Sequence, residues 1–102
     1  MTEEEFRRTL KKEKLVPLSR DEWEALASRF PELERHSTQL AGDLLIIEVD
    51  GDLVAVEEPS PRARVARRLG DRDDVDDFVS RRMEEYERMW DGCGVKVEYY
   101  DE

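Results

Sequence analysis

One stretch of this chain restricts its possible folds more than any other. Leu44-Leu45-Ile46-Ile47-Glu48-Val49 and Asp52-Leu53-Val54-Ala55-Val56-Glu57 flank the dipeptide Asp50-Gly51. Asp-Gly suits a type I′ turn, whose two central residues take positive φ and whose twist matches the strands it joins. A two-residue loop sets the register: Val49 opposite Asp52, Ile47 opposite Val54, Leu45 opposite Val56. Side chains alternate along a strand, so Leu45, Ile47, Val54 and Val56 share one face and Leu44, Ile46, Leu53 and Ala55 the other. The first face is core. The second is more apolar than a solvated face should be.

The remaining segments read mostly as helix. Thr2 and Glu5 have capping-box spacing and open a short helix to about Lys14, with Phe6 and Leu10 on one face. Its apolar surface is small, and residues 1–18 are expected to be a loosely docked helix and connector, because Pro17 disfavours helix at Val16. Ser19 and Glu22 form a second capping box, before an amphipathic helix carrying Trp23, Leu26, Ala27 and Phe30. Ser60-Pro61 suits an N-cap and first helical residue, and Gly70 suits a helix end, which predicts a helix over Arg62–Leu69 with Val65, Ala66 and Leu69 as its apolar edge. A longer helix is expected over about Asp73–Trp90, with Val75, Phe78, Val79, Met83, Tyr86, Met89 and Trp90 on one stripe. Acids crowd its first turn and arginines its later turns, in the sense that suits a helix dipole. Val95, Val97 and Tyr99 alternate with polar residues and Tyr100, predicting a final strand. The expected fold is α+β in the order ααββααβ: one small domain over residues 1–102. Its three-stranded, mainly antiparallel sheet joins the central β-hairpin to the C-terminal strand and packs with helices.

Composition bounds the function more than it defines it. Acidic residues number 27 against 17 basic, a formal charge of -10, and 43% of the chain is charged. Mean hydropathy is -0.82. No apolar run approaches the roughly 18 residues of a membrane span. The N-terminal residues lack the pattern of a secretory signal, and a single cysteine provides no disulfide framework, so a cytoplasmic setting is expected. The acidity has three readings: solubility, a saline habitat (arginine outnumbers lysine 13 to 4), or mimicry of a nucleic acid. Direct nucleic-acid binding is disfavoured, since the net field repels phosphates.

Individual residues carry little chemistry. Cys93 stands between two glycines in Asp91-Gly92-Cys93-Gly94 and is the candidate thiol, but a helix C-terminus and Asp91 both oppose a thiolate there. His36 is the only histidine, and nothing in the spacing places it beside Cys93. Two soft ligands do not make a structural zinc site, so no metal and no cofactor is expected. Asp71-Arg72-Asp73-Asp74-Val75-Asp76-Asp77 lacks the glycine and the glutamate of a calcium loop. Arg62, Arg64, Arg67 and Arg68, with Arg72, are a candidate patch for anions or an acidic partner, although pairing with the chain's own acids is the plainer reading.

These observations point to a protein-interaction or accessory domain without catalytic activity, with homodimerisation as one form. Its partner would be an unknown protein or a second copy, not a membrane. The surplus apolar and aromatic residues Leu44, Ile46, Leu53, Ala55 and Tyr100 mark the expected surface. Two alternatives stay open: an acidic inhibitor that mimics nucleic acid, and a small thiol- or metal-dependent protein using Cys93.

Overall fold

The computed structural model describes residues 1–37 and 43–92, with the side chains of residues 86 and 89–92 excepted. In chain order the elements are α1 (Glu3–Glu13), β1 (Leu15–Ser19), α2 (Arg20–Ala27), β2 (Glu34–Ser37), β3 (Asp43–Val49), β4 (Asp52–Ser60), β5 (Ala63–Gly70) and α3 (Arg72–Gly92). The strands form one antiparallel sheet in the order β1-β5-β4-β3-β2. This is a small α+β domain with three helices and five strands among its described residues.

The hairpin forms in the expected register, with Val49 opposite Asp52, Ile47 opposite Val54 and Leu45 opposite Val56. Asp50 and Gly51 take φ of 52° and 89°, as a type I′ turn requires. Its two faces bury separate cores. Leu45, Ile47, Val49, Val54 and Val56 meet Val16 and Leu18 of β1, Ala66 of β5 and, from α1, α2 and the residues after α2, Phe6, Leu10, Trp23, Leu26 and Phe30. Leu44, Ile46 and Ala55 lie under Val75 of α3, with Leu53, Leu69, Phe78, Val79 and Met83 packed around them.

Both capping boxes are made. Thr2 Oγ1 accepts from Glu5 N–H and Glu5 Oε1 from Thr2 N–H; Ser19 and Glu22 repeat the arrangement. Phe6 and Leu10 are fully buried, so α1 is seated on the sheet by two side chains. At its end, Lys14 turns left-handed at φ 67° and donates its N–H to the Leu10 carbonyl.

The sheet departs from the expected one in three places. Leu15–Leu18, expected as a connector, lies within β1, an edge strand over Leu15–Ser19 paired with β5. Proline is tolerated there because an edge strand leaves alternate N–H groups unpaired. Glu34–Ser37 is also a strand, although it contains no apolar residue. The largest correction falls on Arg62–Leu69. Pro61 and Arg62 form a turn, and Ala63–Gly70 returns as β5 between β1 and β4. Ser60-Pro61 can begin a turn as well as a helix, and burial along the segment shows no period that separates the two: Ala66 alone is fully buried, with long arginine stems around it. Pairing on both sides decided between the two. Gly70 ends the strand at φ 114°, where an added Cβ would sit 2.8 Å from Asp74 Oδ2. The predicted final strand lies outside the described residues.

Candidate interaction edge

Four of the five residues expected to form a surface are used inside the chain. Leu44, Ile46 and Ala55 are at most 1% exposed, and Leu53 is half-buried beside them under α3. Tyr100 and Cys93 lie outside the described residues. Among the described residues, no group of three or more His, Cys, Asp or Glu side chains is placed to hold a metal.

The candidate arginines do not converge. Arg64 Nη1 donates to the carbonyls of Ser60, Pro61 and Ala63, fastening its own turn, and Arg64 Nε lies 3.6 Å from Glu58. Arg68 reaches the other way, donating to the carbonyls of Leu10 and Lys11 at the end of α1, where the helix dipole favours a cation. Arg67 projects toward α3 and stacks 5.5 Å from the Phe78 ring centre. Arg62, in the turn, accepts from Arg20 N–H through its carbonyl. Strand alternation sets Arg67 on the opposite face of the sheet from Arg64 and Arg68.

On the α3 side a charged staple forms that the expected elements did not include. Glu57 is 9% exposed, and its Oε2 lies 2.8 Å from Arg82 Nε of α3. Arg82 also lies 4.9 Å over Phe78, on whose ring Arg67 stacks too, and it pairs with Glu85. Glu48 and Glu57 flank the apolar residues of this hairpin face; Glu48 is exposed, whereas Glu57 is buried, and a carboxylate buried there needs a cation. At the start of α3, Asp71 Oδ1 accepts from Asp74 N–H and Asp74 Oδ2 from Asp71 N–H. The acidic run therefore caps a helix. Arg72 pairs with Asp76 and reaches across to Glu34 of β2. Glu34 Oε1 lies 3.0 Å from His36 Nε2, and its carboxyl is held below the usual range first by Arg72 and then by His36.

The two rims of the sheet differ chemically. In β1 the inward residues are the even-numbered ones, since Arg68 N–H donates to the Lys14 carbonyl and Arg20 N–H to that of Arg62. Leu15, Pro17 and Ser19 therefore face outward. Pro17 has no N–H, and the Ser19 N–H is taken by Glu22. Of three outward positions, Leu15 alone keeps a donor. This rim is guarded.

β2 is built the other way. The closing pair Val49–Asp52 of the two-residue hairpin exchanges both hydrogen bonds, so Leu45 and Ile47 also bond toward β4 while Leu44 and Ile46 turn to β2. The Leu33 N–H bond to the Ile46 carbonyl agrees. Glu34 and His36, opposite Ile46 and Leu44, are the inward residues, and Arg35 and Ser37 turn their N–H and C=O groups outward. No described strand pairs with them. Beside this rim Leu33 is 53% exposed, and Arg35 pairs with Glu32 and Asp43. No signal for this edge was present in Glu-Arg-His-Ser itself, because its pairing partner lies elsewhere in the chain.

Compared with protein-family models, with curated proteins and with solved structures, the chain matches none of them.

Proposed function

We propose that this chain is a non-catalytic protein-interaction or accessory module, whose binding element is the outer rim of β2, engaged by strand addition. The observation that supports this reading is the contrast between the rims: Pro17 and the occupied Ser19 N–H close one, while Arg35 and Ser37 present backbone donors and acceptors on the other. Sheet edges bind extended segments through main-chain hydrogen bonds, with alternate side chains providing selectivity. The apolar face that first suggested self-association packs against α3, so association through Leu44, Ile46, Leu53 and Ala55 would require α3 to leave.

Nucleic-acid mimicry is less well supported. Among the described residues every arginine except Arg62 is ion-paired with a carboxylate of this chain. Cations punctuate the acidic surface throughout.

The test is capture of partners from the native host with wild-type protein and Ser37→Pro. Proline at an outward edge position removes a donor without breaking an internal pair. A partner held by the wild type and lost from a variant with unchanged unfolding supports the reading; a partner retained by Ser37→Pro contradicts it. Titration of the Cys93 thiol distinguishes the thiol alternative, since an apparent pKa well below about 7 would mark an activated nucleophile.

A further inference from the structure

We infer that the segment received by the β2 rim is an extended, basic stretch of another protein. This rests on the strand-addition reading above and specifies the partner. Four carboxylates surround the rim: Glu32 and Asp43 about Arg35, and Glu34 and Asp76 about Arg72. They outnumber those two guanidiniums, and they belong to a chain whose formal charge is -10. A strand laid antiparallel or parallel on Arg35 and Ser37 presents alternate side chains to the two faces of the sheet. Those on the α3 face meet Glu34 and His36. Those on the opposite face meet exposed Leu33 and the Glu32–Arg35–Asp43 group. Lysine or arginine at every second position, alternating with β-branched residues, satisfies both faces and gains from the long-range field. A second copy of this chain is a poorer occupant, because it brings the same negative charge and, paired antiparallel in register, sets Arg35 against Arg35 or His36 against His36.

The experiment is an amide NMR titration of the full chain with three synthetic octapeptides: alternating Lys-Val, alternating Glu-Val, and Lys-Val with N-methyl groups on the residues of one hydrogen-bonding rim. The expected result is that Lys-Val moves the amides of Leu33, Arg35, Ser37 and the facing β3 residues. N-methylation should weaken it by about tenfold or more, Ser37→Pro should do the same, and added salt should weaken it further. Glu-Val should leave these amides unmoved. If Lys-Val and Glu-Val bind the rim equally, the basic partner is wrong and the edge survives. If Lys-Val shifts amides beside carboxylates all over the molecule and N-methylation changes nothing, charge alone is acting and the rim inference fails. If no peptide shifts any amide at millimolar concentration, both the partner and the edge are wrong. If the free protein shows a concentration-dependent mass with its β2 amides already protected, the occupant is a second copy and the inference is overturned.

Discussion

Lys14 holds a left-handed backbone at φ 67°, a conformation that a side chain with a Cβ disfavours by roughly 1–2 kcal/mol. The position is retained because it serves two elements. Its N–H closes α1 on the Leu10 carbonyl, and its own carbonyl accepts from Arg68 at the start of the β1–β5 ladder. Lys14→Gly keeps both backbone bonds and removes the steric cost, so it should stabilise the fold by about 0.5–1 kcal/mol in urea denaturation. A destabilised glycine variant would mean that the lysine side chain contributes more than its backbone costs. Glu57 illustrates a different residue-level effect: it is a carboxylate on an apolar face, and Arg82 and Arg67 come to it from α3 and β5. Glu57 was visible in the sequence as a charge beside an aliphatic run, whereas nothing marked Lys14, since a lysine at a helix end is ordinary.

Elements were legible where local chemistry allowed one answer. The Asp50-Gly51 turn, the two capping boxes and the helix that became α3, with its stripe from Val75 to Met83, each rest on neighbouring residues, and each formed as expected. β5 was misread as helix because Ser60-Pro61 and Gly70 serve either structure, and one buried residue, Ala66, gives no period. Only its position between β1 and β4 made it a strand. β2 was unreadable for the same reason, having no apolar residue of its own. The expected surface on Leu44, Ile46, Leu53 and Ala55 packs against α3, which alters the outcome of a simple mutation. Leu53→Glu puts a charge beside Leu69 and the α3 core, and should destabilise the chain by about 1–3 kcal/mol. Chemical denaturation measures this, and ultracentrifugation provides the contrary result: a stable monomer released from a wild-type dimer would restore that face as an interface.

Across the whole molecule, charge decides both stability and encounter. Glu34 has its carboxyl held down by Arg72 and His36, while Glu5 and Glu22 are held down by the Thr2 and Ser19 groups of their capping boxes. A carboxyl whose folded pKa lies below its unfolded value contributes stability above the ordinary carboxylate range and loses it as pH falls through the folded pKa. Unfolding free energy should therefore hold from neutrality to roughly pH 5 and decline below it. The gap between wild type and Glu34→Gln should be widest near neutral pH and shrink on acidification. A gap that grew as pH fell would reverse the sign of this argument. The arginines are mostly engaged by the chain's own acids, so the field that remains outside is negative, and what it attracts should be basic.

The central claim is that, among the described strands, one rim of the sheet is closed and the other open, and residue-resolved amide hydrogen exchange of the isolated chain tests it most directly. Ala66, Leu44 and Ile46 should exchange slowly, with Glu34 and His36 protected relative to their neighbours, while Arg35 and Ser37 exchange at rates close to those of an unpaired chain. Slow exchange at Arg35 and Ser37 in the monomer would contradict it, because an edge already occupied has nothing to offer a partner.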